Sequence, residues 1–156
     1  MKKHRQRQLN QMNSKGYKLS IKHEPDLVKA ADSVVCKLYP EHISLHEVSY
    51  GLKTRIDHVL YEKHDIITIE YKMKNWKQAI KQAKKHRAYA NQCWILMPAS
   101  INSITVLQAC TSAGIGLMLY SGSVINRVVK PKDMSVQRSR NQLEKRILSQ
   151  YLKKGK

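Results

Sequence analysis

Asp57, Glu70 and Lys72 are the residues of this 156-residue chain whose types and spacing carry chemistry. They lie in the stretch TRIDHVLYEKHDIITIEYK, from Thr54 to Lys72. It reads as two strands separated by a charged turn, Glu62-Lys63-His64-Asp65. Side chains alternate along a strand, so Ile66, Thr68, Glu70 and Lys72 share one face while Ile67, Ile69 and Tyr71 take the other. Glu70 and Lys72 then project in parallel, about 7 Å apart. Arg55, Asp57 and Val59 share a face of the first strand, and neighbouring strands would set Asp57 against Glu70. Two carboxylates beside an ammonium suit a hard divalent ion and a phosphate. Such an ion polarises the phosphate and acidifies water, and the lysine positions that water or stabilises charge. A solvated hairpin with a Glu–Lys pair is the bland alternative. Against it, the isoleucines and Tyr71 make the second strand apolar on both faces, where charge is rarely placed without a use.

The surrounding elements must hold these residues in place. Glu24-Pro25-Asp26 opens a helix whose Leu27, Ala30, Ala31, Val34, Val35 and Leu38 recur at helical spacing until Pro40. Ile43 to Tyr50 alternates as a strand and carries Glu47, and Gly51 turns the chain toward Arg55. Asn75 caps a helix running to about Ala90. Its apolar stripe is Trp76, Ala79, Ile80, Ala83 and Ala90, bordered by Gln82 and Tyr89. Lys77, Lys81, Lys84 and Lys85 gather on another side with no acid between them, so they repel one another and fit phosphate contact better than an idle surface. Cys93 to Met97 is a buried strand, Ser100 to Ala113 a helix closed by Gly114, and Ile115 to Tyr120 and Ser123 to Val129 are strands around a Ser121-Gly122 turn. The strand–helix–strand order implies an α/β domain with at least one parallel pairing.

Asp57, then Glu70-x-Lys72 ending a buried strand, then a helix opening at Asn75-Trp76, resembles the PD-(D/E)XK nuclease superfamily, with its restriction-endonuclease-like fold. The resemblance runs from about Glu47 to Pro98 and more loosely to the Gly114–Leu117 stretch. Ile56 stands where many members have proline, at a position that varies widely. The resemblance implies a central mixed β-sheet flanked by α-helices, with Asp57, Glu70 and the Tyr71 backbone carbonyl ligating Mg2+ or Mn2+. It also places Glu47 as a further acidic ligand, Lys72 on the attacking water, and Gln82 and Tyr89 at the site or on the substrate.

Bulk composition agrees with a nucleic-acid partner. Lys and Arg number 29 against 11 acids, for a formal charge of +18, while 42% hydrophobic residues suit a folded chain. Residues 1–23 form a basic arm, 24–133 the nuclease-like core and 134–156 a basic C-terminal segment with a helix from Gln137 to about Leu152. The basic amino terminus lacks the apolar run of a secretory signal, and no lipidation motif or membrane-length apolar segment follows. Cys36, Cys93 and Cys110 are odd in number and scattered, which implies neither disulfides nor a zinc knuckle, and a reducing cytoplasm, nucleoid-associated by charge. His42, His46 and His58 have no zinc-ligand spacing, so no zinc site is expected. The reading is a magnesium-dependent endonuclease of DNA, with Lys53, Arg55, Lys74, Lys77, Lys81, Lys84, Lys85 and Tyr89 on the nucleic acid. Its alternatives are a non-catalytic DNA-binding module of the same fold and a junction resolvase. A homodimer fits either nuclease reading. With no separate recognition domain at this size, a partner protein could supply targeting.

Overall fold

The computed structural model describes residues 21–51, 53–134 and 138–154, with side chains in the last segment from Gln142 on. The expected arm therefore lies almost wholly outside the described residues. Helix α1, Glu24–Leu38, starts where Asp26 Oδ2 accepts the His23 amide at 3.2 Å and carries Glu24 and Asp26 in the first turn, where the helix dipole favours them. Leu27, Ala31 and Val35, one turn apart, are fully buried. Each large apolar side chain so buried contributes about 2 kcal/mol, against about 0.5–1 kcal/mol of lost side-chain entropy. The apolar stripe therefore docks the helix.

Strands β1 (Ile43–Tyr50), β2 (Thr54–Glu62) and β3 (Asp65–Tyr71) form an antiparallel meander. The β2–β3 loop is Lys63-His64, both with positive φ (44° and 69°), which matches the right-handed twist of the strands it joins. Helix α2 (Trp76–Lys85) carries the chain to β4 (Gln92–Pro98), parallel to β3, and α3 (Ile104–Ala113) carries it to β5 (Gly116–Ser121), parallel to β4. Strand β6 (Val124–Val129) returns antiparallel. The result is a six-stranded mixed sheet in the order β1-β2-β3-β4-β5-β6. Helix α1 covers one face, packing over Ile67, Ile69, Tyr71, Leu96 and Met118. The residues Ala79, Ala83 and Cys110 of α2 and α3 cover the other, joined by Leu143 and Ile147 of α4 (Arg138–Lys154). The expected α/β architecture is present, with four helices among the described residues, none of them long and apolar enough to cross a membrane.

Three local details depart from simple periodicity. Helix α2 stops at Lys85 and tightens into a 3₁₀ turn, His86–Ala88, rather than continuing to Ala90. His86 is the C-cap, its amide bonded to the Ala83 and Lys84 carbonyls and its ring buried. Helix α3 begins at Ile104 because the Ser103 hydroxyl caps the Val106 amide, and a 3₁₀ turn, Ala99–Ile101, precedes it. Glu47 interrupts β1 with φ 57°, a left-handed conformation uncommon outside glycine. Alternation consequently changes phase: the buried core positions run Leu45, Val48, Tyr50 on β1 and Ile56, Val59, Tyr61 on β2. Glu47 and Asp57 sit at that phase change, so Asp57 is half-buried instead of simply following Arg55 and Val59.

Candidate metal centre and nucleic-acid face

The β2–β3 register, His58 opposite Ile69, brings Asp57 beside Glu70 when extended by one residue. The Asp57 Oδ2 atom accepts the Tyr71 amide at 2.9 Å, which locks the carboxylate against the end of β3. Glu70 is almost wholly enclosed, and its charge acts on that of Asp57. Burial and the Glu70 charge push Asp57 up to about 6. Burial raises Glu70 as well, while its interaction with Asp57 and the nearby Lys72 ammonium hold it back. The two groups titrate as a pair, so a proton or a cation is what relieves them.

Lys72 follows directly, its amide bound to the Leu96 carbonyl at 3.2 Å. Its ammonium lies 3.3 Å from Glu24 Oε1 at the start of α1 and is close enough to lower both carboxyls. Glu47 acts on Glu70 through its charge alone; its Oε2 atom is 2.7 Å from Arg55 Nε, and both side chains are exposed. A cleft of about 550 Å³ opens here, lined by Glu24, Asp32, His46, Glu47, Arg55 and Asp57 among others.

His86 is the participant the sequence reading passed over. Its ring is 2% exposed, with Nε2 2.6 Å from Glu70 Oε1 and Nδ1 2.7 Å from the Tyr50 hydroxyl. Burial pushes its pKa down to about 4, so the ring is neutral and one nitrogen donates while the other accepts. Tyr50, its other ring partner, stacks obliquely with Tyr89 at 4.3 Å. A signal for His86 does exist in the chain: Gln82, His86 and Tyr89 are spaced i, i+4, i+7, which a continuous helix would set on one face. Gln82 lies one turn before His86, and its buried Oε1 has no hydrogen-bond partner among the described residues.

The cationic candidates are all on the surface. Lys53, Lys74, Lys77, Lys81, Lys84 and Lys85 are exposed, and Lys77 rests 5.5 Å over the Trp76 ring. Lys77, Lys81, Lys84 and Lys85 lie along α2, Lys74 just before it and Lys53 in the β1–β2 turn.

Under α1, with Asp32 and His46 lining the same cleft as Asp57, Asp32, His46 and His58 bring ligand-type atoms within 4.8 Å of one another. Linear spacing offered no zinc site; three different elements assemble this group instead.

Among solved structures, the chain is similar to SPO1766, a protein of unknown function from Silicibacter pomeroyi, with a TM-score of 0.64 and 13% identity over 81% of this chain and 85% of that one. It is more remotely similar to SfsA of Pyrococcus furiosus, solved in complex with Ca2+, with a TM-score of 0.39 and 10% identity over 72% of this chain and 63% of that one. At such identity the first likeness shows a shared fold and nothing about activity, and the second carries no argument. No protein-family model and no curated protein sequence matches the chain.

Proposed function

We propose that this protein is a magnesium- or manganese-dependent endonuclease acting on DNA, with a restriction-endonuclease-like fold and Asp57, Glu70 and Lys72 at its centre. The observation that carries the proposal is the strand register that sets Asp57 beside Glu70, both carboxyls raised in pKa and the Lys72 ammonium near enough to act on each. Their donor chemistry fits a hard divalent ion: each has one oxygen engaged by the fold, Asp57 Oδ2 on the Tyr71 amide and Glu70 Oε1 on His86, which leaves a second oxygen for a ligand. The resemblance to PD-(D/E)XK nucleases adds the Tyr71 carbonyl as a third oxygen and Glu47 as an outer acid.

When bound, a divalent ion supplies Lewis acidity toward a phosphate oxygen. The chain's own residues do the rest. Asp57 and Glu70 hold the charge and fix its position, and His86 keeps Glu70 from rotating. Lys72 orients the attacking water and stabilises charge on the scissile phosphate, exchanging its contact with Glu24 for one with substrate. Gln82 offers an amide to the same place. Arg55 and Lys53 hold phosphates at the mouth, while Lys74, Lys77, Lys81, Lys84, Lys85 and Tyr89 extend the track along α2.

A binding module without cleavage is the second reading. Its supporting observation is that Lys72 and Glu70 already have internal partners, Glu24 and His86. One experiment separates the two: incubation of supercoiled, linear, single-stranded and four-way-junction DNA with the purified chain and magnesium or manganese. Nicking that disappears in Asp57→Asn and Glu70→Gln supports the nuclease. Preference for the junction would identify a resolvase. DNA retention with no cleavage of any substrate would establish the binding module and overturn the catalytic reading.

A further inference from the structure

We infer that Asp32, His46 and His58 form a second metal site, selective for a borderline transition ion such as zinc. Asp32 comes from α1, His46 from β1 and His58 from β2, and their ligand atoms lie within 4.8 Å of one another. The Asp32 Oδ1 atom is 2.7 Å from His46 Nε2, and the two imidazoles stack with centroids 4.0 Å apart. An ion would displace the hydrogen bond between Asp32 and His46.

His58 has the outer hydrogen bond that orients a ligating histidine. His58 is fully buried, with Nε2 2.7 Å from the Ser44 hydroxyl and Nδ1 2.7 Å from the Tyr71 hydroxyl. It exchanges one hydroxyl for the ion and keeps the other, which sets the ring tautomer. The second ring nitrogen of His46, Nδ1, is buried without a hydrogen-bond partner among the described residues. The Cys36 thiol stands 4.0 Å from Asp32 Oδ1, one helical turn along α1. Asp32 and His46 also line the open cleft, which provides access for an ion and leaves a coordination position for water.

Donor chemistry separates this site from the carboxylate pair. Two imidazoles and one carboxylate favour zinc, cobalt or nickel, whereas Asp57 and Glu70 offer only oxygen and favour magnesium. Tyr71 stands between them: its hydroxyl holds His58 and its amide holds Asp57. An ion on the triad would tie α1 to β1 and β2 and stiffen the wall behind Asp57. The alternative is an ordinary Asp32–His46 ion pair docking α1, with no metal.

The test is zinc titration of the chelator-stripped full chain by calorimetry, with cobalt substitution followed in the visible region and folding checked by circular dichroism. One equivalent of zinc should bind, raise the melting temperature and give an intense tetrahedral cobalt spectrum. Binding should persist in the Asp57→Asn/Glu70→Gln double variant, which keeps this inference independent of the proposed nuclease. It should disappear in folded Asp32→Asn and His46→Gln. Absence of stoichiometric zinc in the unaltered chain, equal binding by Asp32→Asn and His46→Gln, or loss of binding in the double variant would each overturn the site.

Discussion

His86 Nε2 lies 2.6 Å from Glu70 Oε1, and this buried contact joins the end of α2 to the carboxylate pair on the sheet. His86→Ala would leave the Glu70 carboxyl and the Tyr50 hydroxyl without their ring partner. Leaving the buried Glu70 carboxyl so costs about 1–3 kcal/mol, while the Tyr50 hydroxyl keeps the Lys85 carbonyl; loss of a residue that orients a ligand weakens metal affinity about 10- to 100-fold. Thermal melting and magnesium calorimetry on the variant measure both effects. Unchanged metal affinity in a folded variant would reduce His86 to a packing residue.

Asp57 is held at about 6 in the fold against an ordinary 3.8. Between those values the folded chain keeps a proton that the unfolded chain releases. The contribution of this group to folding is therefore complete at lower pH and lost as pH rises through about 6. His58, pushed down to about 3, and His86, to about 4, act in the opposite sense below 6.5. The total profile mixes these effects, so the difference between Asp57→Asn and the unaltered chain isolates the carboxyl. In chelator, the melting-temperature advantage of the variant should grow from about pH 4 to about pH 6 and then level off. A difference independent of pH would show that Asp57 is not shifted.

Lys72→Ala should separate binding from chemistry. The variant keeps Asp57 and Glu70, and with them the metal, but loses the ammonium near both carboxyls. Turnover should fall about 100- to 10,000-fold, the range for a lost proton-transfer or charge-stabilising group. DNA affinity, measured by fluorescence anisotropy at fixed salt, should stay near that of the unaltered chain. Retained nicking would remove Lys72 from the site.

The α2 lysines are exposed and face no acid on their own helix. Replacing Lys77, Lys81, Lys84 and Lys85 together should make the plot of log affinity against log salt shallower, by about 0.9 for each duplex phosphate contact removed. Anisotropy titrations over a range of salt concentrations give the slope directly. An unaltered slope would make this face ordinary solvated surface.

Gly116 tests the packing that supports β4 and β5. A Cβ added there would lie 2.4 Å from the Trp94 ring, against a side chain held within the sheet-and-α1 core. Gly116→Ala should therefore destabilise the fold by about 1–3 kcal/mol through overpacking, read from denaturant midpoints. An unchanged midpoint would mean that Trp94 moves aside freely.

Much of this architecture was legible in the chain because its signals are local. The alternation around Ile66–Tyr71, the stripe of Leu27, Ala31 and Val35, and the apolar run of β4 each state how one element buries its surface. The neighbourhood of Asp57, Glu70 and Lys72 was legible for a related reason: a short charged turn between two strands leaves few registers, and one of them places Asp57 opposite Glu70. Tertiary structure alone decided the partners that come from elsewhere. His86 meets Glu70 across 16 residues, and Glu24 reaches Lys72 from the far end of α1. The left-handed backbone at Glu47, which shifts the phase of β1 and β2, leaves no mark in an alternation pattern. Asp32, His46 and His58 share no ligand spacing, because three elements deliver them to one point and only their packing sets the distance. Periodicity specifies which face of an element turns inward; what that face meets depends on how the elements dock.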